Sequence, residues 1–284
     1  MPEAGRLIIC ATPIGNLGDV TLRVLEALKS ADTVLAEDTR VTRKLFSRYL
    51  ITTPLERYDE HTAVRRTPEV IERIRGGETI ALVSDAGTPG ISDPGSILVD
   101  AAIAADVLVD VLPGAAAVIA ALVASGLPTW AFYFAGFLPR KAGDRTRLLA
   151  SLAPLEATLI FYESPRRTGA TLRGLAEAFP GRSGAMAREL TKLHEEIVRG
   201  PLTELAEQIS ERELLKGEVV LLVGPPHWGR NAAPAPIEPV DASVVRARVA
   251  ELMSEGTART AAVKQVAKET GMSRQDVYDL ASRP

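Results

Sequence analysis

Thr79-Ile-Ala-Leu-Val-Ser-Asp-Ala-Gly-Thr-Pro-Gly-Ile-Ser-Asp-Pro-Gly95 is the stretch on which the fold reading turns. Residues 79–84 are a β-rich apolar run, and a helical pattern resumes at residues 97–105. Between them, residues 84–95 hold three glycines, two prolines and two aspartates. A plain strand-to-helix connection needs only about 2–6 residues. A long, stiff loop at the edge where open α/β sheets take their ligands reads as a binding element. No Lys-Ser or Lys-Thr follows a G-x-x-x-x-G, so it is not a phosphate-binding P-loop. Asp85 and Asp93 lack a clustered third ligand for a metal and can equally face a cationic organic group.

Working outward, residues 6–11 read as a strand. Asp19 is the expected cap of a helix whose Val20, Val24, Ala27, Leu28 and Ala31 share one face. Residues 33–36 form a second strand ending at Glu37-Asp38, followed by helices at 40–50 and 68–75. A strand at 107–112 and a helix at 115–125 complete the series. Apolar strands alternating with helices imply a parallel sheet covered on both faces. Gly126-Leu-Pro-Thr129 marks a boundary, giving a first α/β domain over residues 1–128. Strands at 132–137, 158–162, 185–189, 195–199 and 218–223, with helices at 166–179 and 202–212, make a second α/β domain over 129–225. Five prolines within residues 225–239 indicate a linker, assigned to 226–240. Residues 241–284 form a small helical segment. Its helices at 260–270 and 274–282, around Gly271-Met272-Ser273, suggest a helix-turn-helix.

The chain has 284 residues, 33 basic and 36 acidic, for a formal net charge of −3. Such a balance excludes nucleic-acid binding through bulk charge alone, and the 46% hydrophobic share excludes a disordered chain. Cys10 is the single cysteine, so no intrachain disulfide can form and a reducing, cytoplasmic setting is expected. His61, His194 and His227 are scattered, so no zinc spacing exists and no metal is expected. Residues 111–139 carry no charge, but Pro113-Gly114 and Gly126-Leu127-Pro128 interrupt them. The unbroken piece is too short to span a bilayer.

Other segments could carry chemistry. Thr12-Pro-Ile-Gly-Asn-Leu-Gly-Asp19 also lies between a strand and a helix, where glycines admit close approach and a helix start offers free N–H donors. It lacks G-x-G-x-x-G, and a plain tight turn explains it as well. Leu112-Pro-Gly-Ala-Ala-Ala117 sits at another strand end. In the second domain, Phe161-Tyr-Glu-Ser-Pro-Arg-Arg167 and the charge-dense Ala187–Glu196 run lie beside strands. A solvated charged face is the bland account of the latter. Arg40, Arg43, Lys44 and Arg48 share one helix face, and Arg140, Lys141, Arg145 and Arg147 make a second patch. Local patches of this kind bind phosphates even on an acidic chain.

Taken with Ala36-Glu-Asp-Thr-Arg40 and Ala187-Arg-Glu-Leu-Thr-Lys192, these motifs resemble the ribosomal RNA small subunit methyltransferase I family, in order and spacing, over nearly the whole chain. That family has the tetrapyrrole-methylase-like, class III S-adenosylmethionine-dependent fold. The resemblance implies two α/β domains with S-adenosylmethionine in the trough between them. It implies 2′-O-methylation of a cytidine in the decoding region of 16S rRNA, on the assembled small subunit, by a homodimer, with no role for DNA or a membrane.

On that reading the candidate catalytic residues are Glu163, Glu189 and Lys192, with no choice made among them. Candidate cofactor contacts are Pro13, Gly15, Asp85, Gly87, Thr88, Asp93, Gly114, Ala117, Tyr162, Arg188 and Leu190. Candidate rRNA contacts are Arg40, Arg43, Lys44, Arg140, Lys141 and Arg166. Three rivals remain: a tetrapyrrole methylase of cobalamin or sirohaem synthesis, a helix-turn-helix regulator with a ligand-binding α/β part, and a nicotinamide dehydrogenase. The near-neutral tail weakens the regulator, and the glycine spacing weakens the dehydrogenase.

Overall fold

The computed structural model describes residues 5–212, 215–226, 228, 242–254, 257–270 and 274–282. Most of the expected linker and the Gly271–Ser273 turn lie outside them. The chain divides into two compact units, Met1–Pro226 and His227–Pro284.

The first unit begins with a five-stranded sheet. Its strands are β1 (Arg6–Cys10), β2 (Thr33–Ala36), β3 (Leu55–Arg57), β4 (Thr79–Val83) and β5 (Leu108–Leu112). They lie in the order β3-β2-β4-β1-β5, all parallel. The helices between them are α1 (Leu22–Ser30), α2 (Thr39–Tyr49), α3 (Glu60–Arg75) and α4 (Gly95–Ala104), with α5 (Ala117–Ser125) following β5. Successive strand residues point to opposite faces. Ile8, Cys10, Val34, Ala36, Ala81 and Val83 pack on α1 and α2. Leu7, Ile9, Leu35, Ile80 and Leu82 pack on α3 and α4. The sheet is therefore covered on both faces, as the unbroken apolar strands require.

Three local readings are corrected. Asn16 caps a 3₁₀ turn, Leu17–Asp19, so α1 starts later, on Thr21, whose Oγ1 accepts from Val24 N at 3.2 Å. Asp19 is not the cap. Helix α3 begins at Glu60 rather than Pro68 because Asp59 and Thr62 form a capping box. Pro68 is tolerated inside because the carbonyl left without its N–H belongs to Val64, which is exposed. The short strand β3 was not anticipated; its charged Leu-Glu-Arg sequence carries no strand signal.

The second sheet comprises β6 (Phe132–Phe137), β7 (Thr158–Glu163), β8 (Ser183–Arg188), β9 (Glu196–Pro201) and β10 (Val219–Val223). The order is β6-β7-β10-β8-β9, with only β6 and β7 parallel. Helices α6 (Ala142–Leu152), α7 (Thr168–Ala178) and α8 (Leu202–Ser210) cover one face through Leu159, Phe161, Met186 and Leu221. Helix α6 coincides with the basic stretch that sequence reading took only as a patch. The other face of this sheet meets α5, which contacts β8, β9 and β10. That contact accounts for the apolar helix in the uncharged run: α5 buries Val118, Ala121 and Leu122 as it packs on the second sheet.

The second unit is three helices, α9 (Ala242–Ser254), α10 (Arg259–Thr270) and α11 (Arg274–Ser282). They close on Val245, Val249, Leu252, Ala262, Val266 and Val277. Among the described residues no helix is long and apolar enough to cross a membrane.

Candidate active site

The carboxyl edge of the parallel sheet brings the two glycine-rich loops together. Thr12 and Gly87 form a two-way backbone bridge, Thr12 N to Gly87 O at 2.8 Å and Gly87 N to Thr12 O at 3.0 Å. Thr12 Oγ1 adds a bond to Ser84 O at 3.1 Å. Strands β1 and β4 are neighbours, so the residues following each emerge side by side. Gly87 holds φ at +79°, a conformation that disfavours any other residue. The third loop joins them: a Cβ on Gly87 would lie 3.6 Å from Ala115 O, and one on Gly114 only 2.8 Å from Ala11 Cβ. Pro13 and Gly87 are buried, whereas Gly15, Asp85 and Gly114 are exposed. Asp93 braces its own loop, its Oδ1 accepting from Gly90 N at 2.8 Å and Gly95 N at 2.7 Å.

The second lobe contributes Tyr162 and the turn after β8. Tyr162 points from β7 towards α5, where its hydroxyl accepts from the Val118 amide next to Ala117; burial raises its pKa. Phe134 and Phe137 meet its ring edge-on at 4.8 and 5.6 Å. Leu190 reaches the first lobe, since its carbonyl would lie 2.9 Å from a Cβ on Gly15. The Arg188 guanidinium instead turns to Glu196, at 3.1 Å, and to the Lys216 carbonyl.

The three catalytic candidates separate. Lys192 Nζ lies 2.7 Å from Glu189 Oε1 and 3.1 Å from Glu218 Oε2. Burial opposes the Lys192 charge, but these carboxylates outweigh it and hold its pKa above the usual lysine value. Burial likewise pushes Glu189 up, and Lys192 with the Glu218 amide overcomes it, leaving a lowered pKa. Glu163 follows Tyr162 on a strand and so takes the opposite face, under α7. There it is only 3% exposed and accepts from Thr171 Oγ1 at 2.6 Å and Ser164 N at 2.7 Å, with Arg167 at 3.3 Å.

A carboxylate pair escaped sequence reading. Glu37 and Asp85 follow the register neighbours Ala36 and Val83. Asp85 N–H donates to the Glu37 carboxylate, and Asp38 N donates to Asp85 Oδ1 at 2.9 Å. Burial first, then nearby carboxylates, raises the pKa of both. The acidic residues were each visible in the sequence; their adjacency follows only from strand order.

The basic candidates form two groups. Arg40, Arg43 and Lys44 are exposed on α2, with Arg40 clasping Asp38 at 2.6 Å. Hydrogen bonds from Arg40 lower the Asp38 pKa to about 2. Arg140, Lys141 and Arg166 are exposed beyond the carboxyl ends of the parallel neighbours β6 and β7, on one edge of the second sheet. Among the described residues no group of histidine, cysteine and carboxylate side chains is arranged to hold a metal ion.

Residues 6–206 match the tetrapyrrole (corrin/porphyrin) methylases. A protein of Mesorhizobium japonicum named ribosomal RNA small subunit methyltransferase I is 46% identical over 278 residues, 98% of this chain and 91% of its own. The chain belongs to the ribosomal RNA small subunit methyltransferase I family. A Thermotoga maritima protein of the same name is 42% identical over 220 residues, covering 78% of this chain but 99% of its own. Among solved structures, the methyltransferase CobJ superposes with a TM-score of 0.61 at 23% identity, covering 81% of this chain and 98% of its own. A Thermus thermophilus uroporphyrin-III C-methyltransferase complexed with S-adenosylhomocysteine gives 0.53 at 22% identity, covering 77% and 97%. These likenesses carry the two-lobed tetrapyrrole methylase fold.

Proposed function

We propose that this member of the rRNA small subunit methyltransferase I family transfers a methyl group from S-adenosylmethionine to the ribose 2′ oxygen of a cytidine in the decoding region of 16S rRNA. The observation that carries the reading is the Thr12–Gly87 bridge, which merges two glycine-rich loops into one site at the sheet edge. The small-subunit rRNA substrate rests on the name borne by relatives as similar as 46%.

The residues present fit a cationic cofactor. The half-buried Glu37 and the exposed Asp85 put two carboxylates beside the loops, and their raised pKa values mean that a positive neighbour would relieve them. Pro13, Gly15, Gly87, Thr88, Gly114, Ala117, Tyr162 and Leu190 would wall the cofactor, with Asp85 towards its charge. Asp93 acts by bracing its loop, and Arg188 by holding β8 to β9. The cofactor supplies an already activated methyl group on sulfonium sulfur, so the chain's task is mainly alignment. Lys192, held protonated, suits stabilisation of negative charge on the acceptor oxygen. Glu189, held ionised, suits orienting the ribose hydroxyl as a hydrogen-bond acceptor. Arg40, Arg43, Lys44, Arg140, Lys141 and Arg166 would hold phosphates.

The working form would be a homodimer acting on the assembled subunit in the cytoplasm. Support for the dimer comes from apolar side chains exposed on edge strands β5 (Leu108, Val111) and β6 (Phe132, Tyr133, Phe137), and on α5 (Ile119, Val123).

The test is transfer from labelled S-adenosylmethionine to small subunits from a strain lacking the enzyme, with mass spectrometry of the digested rRNA. One 2′-O-methylated cytidine is expected. Methylation of a porphyrin-like acceptor with none on subunits would favour tetrapyrrole synthesis instead.

A further inference from the structure

The turn joining β8 to β9 holds two non-glycine residues in the left-handed region, Glu189 at φ 51° and Thr191 at φ 65°. For a β-branched threonine this is strained, and such strain persists only where the surroundings over-determine it. Here they do. Glu189 N donates to Glu218 O at 3.0 Å, and Glu218 N returns a bond to Glu189 Oε1 at 3.0 Å. Lys192 N donates to Glu189 O at 3.0 Å, closing the turn, and Thr191 N donates to Glu195 Oε2 at 2.6 Å. The Glu189 side chain fills the space where Gly217 lacks a Cβ, at φ +91°.

The strained turn faces the first lobe. Thr191 Oγ1 accepts from the Asn16 amide at 3.0 Å, across 175 residues of sequence. The Asn16 side chain is occupied in capping Gly18, so Thr191 is what meets the backbone amide at the centre of the loop. Gly15 is glycine for the same reason. A Cβ there would lie 2.5 Å from Lys192 Cγ, 2.7 Å from Thr191 Oγ1 and 2.9 Å from Leu190 O. Only the side of Gly15 where a Cβ would stand is filled by the other lobe, and the residue itself remains exposed.

We propose that the Glu189–Lys192 turn is a latch that presets the Thr12–Asp19 loop for its cofactor, with Thr191 as the positioning residue. This rests on the reading that the loop receives S-adenosylmethionine. A loop already held in its bound shape need not be ordered on binding, and that difference appears as affinity. Loss of one such hydrogen bond weakens binding by roughly three- to tenfold.

Thr191→Val keeps the β-branch and removes the hydroxyl. By calorimetry it should weaken S-adenosylhomocysteine binding roughly three- to tenfold, and raise KM for the methyl donor more than it lowers kcat. Thr191→Ser should restore both. Gly15→Ala, which wedges a methyl group under the same turn, should reproduce the loss from the other side if Thr191→Val folds poorly. Without any ligand, Thr191→Val should speed hydrogen exchange at the Asn16 amide. Wild-type affinity in Thr191→Val, or failure of Thr191→Ser to recover it, overturns the latch. If the wild-type protein binds no S-adenosylhomocysteine, the cofactor reading fails instead. Asn16 exchange then decides the latch alone, and unchanged exchange in Thr191→Val overturns it.

Discussion

Replacing Glu163 separates two roles that the sequence leaves together. The side chain is 3% exposed and faces α7, where Thr171 and the Ser164 amide donate to it and Arg167 pairs with it. Glu163→Ala would leave the buried Thr171 hydroxyl without its acceptor, while the half-buried Arg167 would keep the Leu138 carbonyl at 3.1 Å. Leaving a buried hydrogen-bonding group unsatisfied costs about 1–3 kcal/mol. At roughly 2–4 °C per kcal/mol for a unit of this size, melting should fall by about 2–12 °C. Glu163→Gln keeps one carbonyl acceptor and should lose about half as much. The assay is thermal unfolding by circular dichroism, beside methyl transfer at low temperature normalised to folded protein. Transfer per folded molecule should stay near wild type, because Tyr162, not Glu163, faces the loops. A Glu163→Gln protein that melts normally yet loses about a hundredfold in normalised transfer, the scale of a lost acid–base group, would refute the reasoning.

Two further outcomes follow from the same geometry. Glu37 has a raised pKa in the fold, so its contribution to stability is fully present below the ordinary glutamate value and is lost as pH rises through the folded value. Glu37→Gln should therefore melt above wild type at pH 7–8, with the gap closing towards pH 4; a gap independent of pH would contradict this. Separately, the 220-residue match that spans 99% of the Thermotoga maritima relative leaves about a fifth of this chain unmatched, about the size of the second unit. A protein ending at Pro226 should keep wild-type S-adenosylhomocysteine affinity while methylating subunits less efficiently, as measured by isothermal titration and KM for subunits. Equal loss of both would make the tail part of the fold.

Much of this molecule is written in short windows of sequence. Apolar runs such as Leu7–Cys10 and Val219–Val223 specify strands, and their alternation with helices specifies a covered parallel sheet, because backbone periodicity and burial are decided within a few residues. The loops at 12–19 and 84–95 were legible for the same reason, since each must follow its own strand. Their placement around one site was legible too, once both were assigned to the carboxyl edge of one sheet. Proline at 68 misled, because a capping box at Asp59 and Thr62, six to nine residues earlier, outweighed it.

What the tertiary structure alone decided is which neighbours each site residue has. Tyr162 and Glu163 are adjacent in the sequence but lie on opposite faces of β7, one at the loops and one under α7. Glu37 and Asp85 met because β2 and β4 are register partners. Gly15 proved to be reserved for Thr191 and Lys192, brought across by the packing of α5 on the second sheet. Local preferences act over the reach of a turn, whereas a site assembled from residues 175 apart exists only when α5 packs on the second sheet and the two lobes carry their loops into contact.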